Sequence, residues 1–273
     1  MTTQGNVVVV TGAGRGVGCA IATAFAGQGD RVALVDLLAD PLAATCDKLR
    51  GAGGEVLPLL ADITDPSQVQ QMAQQLTNTW GTPDILVNCA GTFSVIGPIW
   101  EVDPERWLRD VRVNLYGTFL VCHHLVGPMV AAGRGYVVNI VSTGGVGDPH
   151  PYSTSYASSK TGLMRLTEGL AKEVESHGIK VFAVAPPAIL TDMTRFILND
   201  EGGKKWRPGF ERIFEEGQDY PPEAVAQTVL QLVSGKADRL TGRYFDVRED
   251  IDELVAQQDD ILANDRLTLR IRK

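Results

Sequence analysis

Cysteine and histidine are scarce in this chain of 273 residues, which holds four of each. The cysteines are scattered without a Cys-x-x-Cys pair, and this spacing favours small core residues in a reducing compartment. They are Cys19, Cys46, Cys89 and Cys122. Only His123 and His124 are adjacent, and neighbouring residues on a helix point in different directions. The pattern predicts no disulfide framework, no metal site and a cytoplasmic location.

Long apolar runs and an excess of basic residues are also missing. The densest apolar runs, 7–10 and 137–141, are far shorter than the ~20 residues of a membrane-spanning helix. No basic segment precedes the first run, so we expect no secretory signal. Acidic residues outnumber basic ones by 33 to 25, which gives a formal net charge of −8. We therefore expect neither a membrane nor a nucleic acid as a partner.

Short β-branched runs alternate with longer helical segments along the chain. This alternation is typical of a parallel sheet covered on both faces, and 44% hydrophobic residues suffice to bury its core. We predict a single α/β domain over 1–273, with a doubly wound, Rossmann-type, mostly parallel seven-stranded sheet and helices on both faces. Strands are predicted at 6–11, 31–36, 55–60, 85–88, 136–141, 180–185 and 244–247. Helices are predicted at 15–28, 41–51, 66–80, 105–132 and 155–177.

Two segments depart from this alternation. Residues 191–222 are rich in glycine, proline and aromatic residues, and they follow the sixth strand at the edge where doubly wound sheets bind ligands. We interpret them as a substrate lid. Residues 248–273 form a C-terminal extension, with an acidic helix predicted at 251–263. The alternating pattern of 266–273 favours an edge strand or a subunit clasp.

A glycine-rich segment, Thr-Gly-Ala-Gly-Arg-Gly-Val-Gly at 11–18, follows the first strand and opens the first helix. Glycine permits a tight turn and the close approach of a diphosphate, and the helix N-terminus offers free N–H groups to the anion. Asp36 ends the second strand 18 residues after Gly18, near the ~20 residues expected of the acid that holds an adenosine ribose. The pattern predicts dinucleotide binding, with an ordinary structural turn as the alternative.

Asp36 also bears on the choice of cofactor. A carboxylate accepts a hydrogen bond from a free 2′-hydroxyl and repels a 2′-phosphate, and Leu37 adds no compensating cation. Arg15 points the other way, because a basic residue in this loop can serve a 2′-phosphate. We give the clash with the carboxylate more weight and predict NAD rather than NADP.

The spacing Thr-Gly-x-x-x-Gly-x-Gly resembles that of the short-chain dehydrogenase/reductase family. Four further matches to the family's pattern follow in order, each at the predicted element, across roughly residues 6–247. They are Asn-Cys-Ala-Gly at 88–91, Asn114, Ser142, and the pair Tyr156 and Lys160. Cys89 replaces the second asparagine of the family's Asn-Asn-Ala-Gly segment. The resemblance implies a nicotinamide-dependent oxidoreductase and a homo-oligomer, most often a tetramer.

The candidate catalytic residues can also be argued from their chemistry. Tyr156 and Lys160 are four residues apart and share one helix face. A free tyrosine has a pKa of ~10, and a nearby ammonium lowers it toward neutrality, which suits proton transfer; the alternative is a surface pair that merely touches. Ser142 can stabilise charge on the substrate oxygen. Its position after the fifth strand selects Ser142, whereas the family's usual distance before the tyrosine selects Thr143. The resemblance gives Asn114 a backbone-distorting, water-relaying role linked to Lys160.

The resemblance also implies a set of cofactor-binding residues. Asp62 is expected to cap the adenine ring, with a helix-start acid as the alternative. Ile189 and Thr191 are expected to meet the nicotinamide, one through its backbone and one through its hydroxyl. Pro187 replaces a glycine of the family and lacks an N–H, so we expect this loop to be displaced. The full set is Gly12, Arg15, Gly16, Val17, Gly18, Asp36, Asp62, Ile63, Asn88, Ala90, Gly91, Tyr156, Lys160, Ile189 and Thr191.

The predicted function is hydride transfer between NAD and an uncharged, fairly apolar secondary alcohol or its ketone. Burying an unpaired anion among apolar lid and wall residues would cost several kcal/mol, and we expect the lid cations to face solvent. The apolar residues of lid and wall are Met193, Phe196, Ile197, Trp206, Phe210, Ile213, Phe214, Phe93, Val95, Ile96, Val146 and Tyr152. The alternatives are a catalytically silent NAD-binding sensor or scaffold, or a reductase of a sugar-like or hydroxy-acid substrate.

Overall fold

The structure, a computed structural model, describes residues 5–147 and 149–271. Its strands are β1 Val7–Thr11, β2 Arg31–Asp36, β3 Val56–Leu60, β4 Ile85–Asn88, β5 Gly135–Ile140, β6 Ile179–Ala185 and β7 Tyr244–Asp246. Within the described residues, these seven strands form one sheet in the order β3-β2-β1-β4-β5-β6-β7, and each neighbouring pair is parallel. The predicted fold class is confirmed, with a sheet that is entirely rather than mostly parallel in this part of the chain.

The strand order reverses between β1 and β4, which are neighbours in the sheet although two strands separate them in the chain. The connections that leave their carboxyl ends run in opposite directions and open a crevice between them. Doubly wound sheets bind ligands in this crevice. The topology therefore fixes where the functional residues must meet.

Helices connect the strands and cover the sheet. They are α1 Gly16–Gly27, α2 Ala39–Gly51, α3 Pro66–Trp80, α4 Pro104–Val111, α5 Thr118–Ala132, α6 Thr154–Glu173, α7 Asp192–Asn199, α8 Glu201–Trp206, α9 Arg212–Glu215, α10 Pro222–Leu232, α11 Ile251–Ala256 and α12 Gln258–Ala263. α3 and α4 begin with proline at the first helical position, and the Asp65 and Asp103 carboxylates accept hydrogen bonds from backbone N–H groups of the first turn.

Both faces of the sheet are buried, which explains the nearly continuous valines of β1. Val8 and Val10 belong to a core that contains α1 and α10 residues, whereas Val7 and Val9 belong to a second core with residues of α3 and α5. Alternation along a strand sends successive side chains to opposite faces. Each fully buried valine contributes roughly 1.5 to 3 kcal/mol relative to an exposed one.

The helix predicted at 105–132 is interrupted. α4 and α5 are joined by a π-helical segment, Arg112–Gly117, and the continuous-helix prediction is wrong at this point. Such a segment holds one more residue per turn than an α-helix, which turns Asn114 into the interior, where it is fully buried. Gly117 permits this arrangement, because a Cβ there would lie 2.8 Å from the Ile63 side chain. The apolar periodicity of the sequence does not indicate this π-helical segment.

This interrupted helical stretch, Pro104–Ala132, is long and apolar enough to cross a membrane by length and composition alone. Its mean hydropathy reaches 1.3 over 18 residues, contrary to the expectation from the short apolar runs. Leu120, Leu125 and Met129 of α5 are buried in the core beside α3. Such burial is typical of a core helix in a folded domain.

The C-terminal extension differs from its prediction in two ways. The acidic helix is two short helices, α11 and α12, that meet at Gln257. The part of 266–273 that the structure describes, up to Ile271, contains no strand. Asp265 and Leu267 have positive φ angles of 46° and 59°, which interrupts the extended conformation that an edge strand needs. Leu267 does lie beside β7, where its carbonyl accepts a hydrogen bond of 2.9 Å from Tyr244.

Candidate active site

A cavity of about 780 Å³ opens at the carboxyl edge of the sheet. Residues from the glycine-rich loop, the ends of β2, β4, β5 and β6, α6 and the lid line it. Most of the predicted site residues meet there, at the crevice that the strand order creates. They are Gly12, Arg15, Gly16, Val17, Gly18, Asp36, Asp62, Ile63, Ala90, Gly91, Ser142, Tyr156, Lys160, Ile189 and Thr191.

The glycine-rich loop leaves room that side chains would fill. Gly12 and Gly16 have φ angles of 67° and 54°, a region that favours glycine. A Cβ on Gly12 would lie 2.8 Å from the Ala90 Cα, and one on Gly18 would lie 2.1 Å from the Gly12 carbonyl oxygen. No described side chain caps the start of α1, so its first N–H groups are available to an anion.

Thr11 joins this loop to the end of β4. Its buried hydroxyl accepts hydrogen bonds from the backbone N–H groups of Cys89, at 3.0 Å, and Ala90, at 3.1 Å. Thr11 was predicted only as part of the glycine-rich motif, without a role of its own. Its position between a buried strand and the first glycine was the available signal.

Asp36 is held rigidly at the edge of the cavity. Its carboxylate accepts hydrogen bonds from the N–H groups of Gly14, at 2.9 Å, and Leu38, at 3.0 Å. Arg15 does not pair with Asp36; it forms an ion pair with Asp192 at the start of α7. Arg15, the cation that could bind a 2′-phosphate, is thus paired with a carboxylate of the lid.

Asp62 and Ile63 line the same cavity after β3. The Asp62 carboxylate accepts hydrogen bonds of 2.8 Å from both the N–H and the hydroxyl of Thr64. Asp65, and not Asp62, caps α3, so the structure does not favour the helix-start alternative for Asp62. Its place at the cavity wall agrees with the position expected for an adenine cap.

Tyr156 lies on α6 with its ring stacked on that of Phe93, at a centroid distance of 4.7 Å and an angle of 20°. Burial raises the pKa of Tyr156 above its usual value, and a hydrogen bond with the Ser142 side chain and the charge of Arg207 oppose that shift. The net direction is opposite to the lowering expected from Lys160. Desolvation of the charged form outweighs the nearby charges in this apolar surrounding.

Lys160 explains part of this difference. Its Nζ lies 5.9 Å from the Tyr156 ring centroid and donates a hydrogen bond of 2.8 Å to the Ile140 carbonyl. Burial lowers the pKa of Lys160 to about 8. The side chain is only 3% exposed, so the ammonium loses most of its hydration and is held by the end of β5.

Ser142 lies where β5 passes into the cavity wall. Its hydroxyl caps the short turn Thr143–Gly145, accepting a hydrogen bond of 3.2 Å from the Gly144 N–H, and it interacts with the Tyr156 side chain. Thr143 lines the cavity as well. The contact with Tyr156 supports Ser142 over Thr143 as the partner of the tyrosine.

Asn114 is fully buried behind the cavity wall rather than lining it. Its side-chain amide donates hydrogen bonds to the Thr92 carbonyl, at 2.9 Å, and to Ser159 Oγ, at 3.0 Å, and its oxygen accepts one of 2.7 Å from the Thr92 N–H. Gly91 separates it from Lys160, since a Cβ there would lie 3.2 Å from Asn114 Oδ1 and 3.5 Å from Lys160 Nζ. Asn114 itself lies within the π-helical segment.

Asn88 does not reach the cavity, contrary to its predicted role in cofactor binding. Its side chain is 2% exposed and donates a hydrogen bond of 2.8 Å to Asn139 Oδ1, which links β4 to β5. Alternation along β4 sends this side chain into the interior, while Ala90 and Gly91 beyond the strand line the cavity. The asparagine supports the sheet beneath the site.

The lid packs on the wall of the cavity. Phe93, Ile96 and Ile197 form a buried apolar cluster, and the other contributing side chains are Tyr152, Tyr156, Met193, Phe196, Trp206 and Phe210. The ring centroids of Tyr152 and Trp206 are 4.5 Å apart. Val146 packs in a different cluster, beside Val141. Most of the predicted apolar residues of lid and wall therefore pack together, and Val95, Val146, Ile213 and Phe214 are outside this cluster.

Two lid cations, Arg195 and Arg207, line the cavity, contrary to the expectation that all of them face solvent. Arg207 is half-buried and lines the cavity, with its guanidinium carbon 5.0 Å from the Phe210 ring centroid. Lys204 and Lys205 are exposed. Among the described residues, no group of three or more His, Cys, Asp or Glu side chains is arranged as metal ligands.

Comparisons with known proteins agree with this geometry. The family model described as short chain dehydrogenase matches residues 6–202. The chain belongs to the short-chain dehydrogenase/reductase family. D-threitol dehydrogenase of Mycolicibacterium smegmatis is 32% identical over 245 residues, which cover 88% of this chain and 90% of that protein. The 3-oxoacyl-(acyl-carrier-protein) reductase of Thermotoga maritima is 32% identical over 247 residues, which cover 90% of this chain and 98% of that protein.

Solved structures give the same assignment. Actinorhodin polyketide ketoreductase, solved with NADPH, matches with a TM-score of 0.83 at 31% identity, covering 90% of this chain and 97% of that chain. Levodione reductase matches with a TM-score of 0.81 at 29% identity, covering 88% and 95%. The short-chain dehydrogenase/reductase resemblance predicted from the motifs is confirmed, and with it an oxidoreductase family that uses nicotinamide cofactors.

The residues present fit such a cofactor. The positive φ angles of Gly12 and Gly16 shape a cradle at the start of α1, and the Asp36 carboxylate stands at the edge of the same cavity. The loop after β6, where Pro187 replaces the glycine of the short-chain dehydrogenase/reductase pattern, also lines the cavity. The Ile189 carbonyl accepts a hydrogen bond of 2.8 Å from the Thr194 hydroxyl, which leaves its N–H as the backbone group for a ligand.

Proposed function

We propose that this protein is an NAD-dependent oxidoreductase that transfers a hydride between the nicotinamide and a fairly apolar secondary alcohol or its ketone. Tyr156 serves as the acid and base. The observation that carries the proposal is the meeting of Tyr156, Ser142 and Lys160 at one wall of the cofactor-sized cavity, under an apolar lid. Each of the three has a chemical role there.

A bound nicotinamide supplies or accepts the hydride at the reacting carbon. Ser142 holds the substrate oxygen by a hydrogen bond and stabilises charge that develops on it. Tyr156 donates its phenolic proton to that oxygen in ketone reduction and takes a proton back in alcohol oxidation. Because burial raises the pKa of Tyr156, the phenol is protonated at neutral pH and is ready to act as the acid.

Lys160 and Asn114 support the tyrosine. With a pKa of about 8, Lys160 is mostly charged at pH 7, and its ammonium favours the phenolate as the proton leaves. The hydrogen bond to Ile140 fixes the position of that charge. Asn114 is a positioning residue, because its amide links Thr92, which lines the cavity, to Ser159, which precedes Lys160 on α6.

The preference for NAD rests on charge around the ribose position. Asp36 is fixed by two backbone N–H groups and cannot easily swing away from a 2′-phosphate. Leu37 and Leu38 beside it are exposed apolar residues, and Arg15 is drawn to Asp192. The actinorhodin ketoreductase structure contains NADPH, so the two cofactors need to be compared directly.

The test is a spectrophotometric screen of cyclic and aromatic secondary alcohols and ketones with NAD(H) and NADP(H). We expect turnover with NAD(H) that is lost in Tyr156→Phe by about 10² to 10⁴-fold, while cofactor binding measured by fluorescence titration is kept. Near wild-type turnover in the variant would overturn the mechanism. Cofactor binding by the wild type without any turnover would instead favour a silent sensor, and a strong preference for short polar sugars would contradict the apolar substrate.

A further inference from the structure

Arg207 is a charged side chain at the substrate end of the cavity that the mechanism above does not use. It follows directly after α8, and its guanidinium packs against the Phe210 ring at 5.0 Å. The same residue lines the cavity together with Tyr156, and the two side chains are near enough for each charge to affect the other. Arg207 therefore shares the cavity wall with the tyrosine.

Within residues 5–147 and 149–271, no carboxylate forms an ion pair with Arg207. The other arginines that line the cavity differ: Arg15 and Arg195 both pair with Asp192, and Arg109 is exposed to solvent. Burial lowers the pKa of Arg207 below its usual value, because the loss of water disfavours the charged form. A desolvated guanidinium without an anion is costly, and proteins normally pair such groups.

The Phe210 contact keeps the guanidinium in place without neutralising it. An aromatic face attracts a cation and holds its plane, but it leaves the N–H groups free to donate. A guanidinium presents these donors as a planar fork that matches a carboxylate by two parallel hydrogen bonds. The arrangement is that of a prepared anion site facing the catalytic tyrosine.

We propose that Arg207 binds a carboxylate of the substrate, so that the preferred substrates are oxo acids and hydroxy acids with an apolar body. This inference rests on the proposed function and sharpens its substrate class. The apolar cluster around Phe93 and Ile197 receives the hydrocarbon part, and Arg207 provides the charged contact. Hydride transfer then occurs at a carbonyl carbon, and the separation between Arg207 and Tyr156 determines how far that carbon lies from the carboxylate.

A matched pair of substrates tests this assignment. The substrates to be compared, with NADH, are 3-oxocyclohexanecarboxylate, 4-oxocyclohexanecarboxylate and their methyl esters. Each is to be assayed with the wild type and with Arg207→Met, Arg207→Lys and Arg212→Met. Arg212 is an exposed lid arginine and receives the same substitution as a control. We expect the wild type to prefer one acid over its ester at least tenfold in kcat/KM. That ratio should fall at least tenfold in Arg207→Met, partly in Arg207→Lys, and stay within threefold in Arg212→Met.

Binding supplies a readout that does not need turnover. Calorimetry with cyclohexanecarboxylate and NAD is expected to show at least tenfold weaker carboxylate binding in Arg207→Met than in the wild type. An unchanged acid-to-ester ratio in Arg207→Met, or a wild type that prefers the esters, overturns the inference while the oxidoreductase proposal survives. If none of the alcohols or ketones reacts, the proposed function fails, and the calorimetry alone decides whether Arg207 is a carboxylate site.

Discussion

Lys160 is a buried charge at the centre of the site, and its protonation couples to the stability of the fold. Its pKa lies at about 8, below the ordinary 10.5, so between these values the unfolded chain binds more protons than the folded one. The free energy of unfolding must therefore rise with pH across this window. Below pH 8 both states are protonated, and the full cost of burying the ammonium is present.

We predict that the difference in unfolding free energy between wild type and Lys160→Met shifts in favour of the wild type by about 3 kcal/mol from pH 8 to pH 10.5. Denaturant titrations of the cofactor-free proteins at several pH values measure it. The variant cancels contributions from tyrosines that titrate in the same range. Parallel curves for the two proteins would show that Lys160 is not desolvated in solution.

Asp36 gives the second prediction at the scale of single residues. Asp36→Ala removes the acceptor proposed for the ribose and should weaken NAD binding by about ten- to a hundredfold, the range for a hydrogen bond to a charged group. NADP should gain relative to NAD, because the repulsion is gone. Asp36→Asn is the matched control, since its amide oxygen can still accept from the Gly14 N–H that Asp36 holds. Equal cofactor preference in Asp36→Ala and wild type, measured by fluorescence titration, would remove Asp36 from cofactor choice.

The positions of some site residues are predictable from the sequence, and those of others are not. The motif positions of Tyr156, Ser142 and Lys160 were predictable, because strand ends and helix spacing bring them to one edge. Asn88 was misplaced, since a motif match does not tell which side of the strand a side chain takes. The inward turn of Arg207 depends on packing against Phe210, a contact within an irregular lid that no periodic pattern encodes.

At the scale of elements, α1 depends on the close approach of its first turn to the loop before it. The bounds of α1, Gly16–Gly27, follow closely from the glycine-rich loop and the apolar spacing predicted at 15–28. The π-helical segment at 112–117 was not predictable in the same way, because an extra residue in one turn leaves the apolar pattern on either side intact. Its evidence lies in tertiary contacts such as Gly117 against Ile63.

Two glycines at opposite ends of α1 give a matched prediction. Gly18→Ala places a Cβ 2.1 Å from the Gly12 carbonyl oxygen, so the first turn or the loop must move. We expect loss of unfolding free energy of about 1 to 3 kcal/mol, as for overpacking, and loss of NAD binding. Gly27→Ala has nothing within 4 Å of the new Cβ and should be neutral or stabilising by up to ~1 kcal/mol. Thermal unfolding with and without NAD checks both, and similar behaviour of the two variants would refute the close approach.

At the scale of the whole molecule, the sheet order and the two cores explain why the functional residues meet at one edge. The exposed aromatic side chains on the long helical stretch are not explained by packing within one chain. Tyr116 and Phe119 are 42% and 46% exposed, with stacked rings 6.1 Å apart. The Phe119 ring continues toward His123 at 5.8 Å. An exposed aromatic stripe of this kind marks an interaction surface.

We therefore predict a homo-oligomer in which this stripe pairs with copies of itself, and the family resemblance favours a tetramer. A two-fold axis brings the same patch of both subunits together, so a charge placed in it meets its own copy. Phe119→Asp should lower the mass measured by light scattering at micromolar concentration, because two carboxylates would face each other in an apolar contact. Trp100→Asp is the control, since Trp100 is 79% exposed in the loop before α4 and is not one of the stacked rings of the stripe. A monomeric mass for the wild type, or an unchanged oligomer in Phe119→Asp, would contradict this use of the stripe.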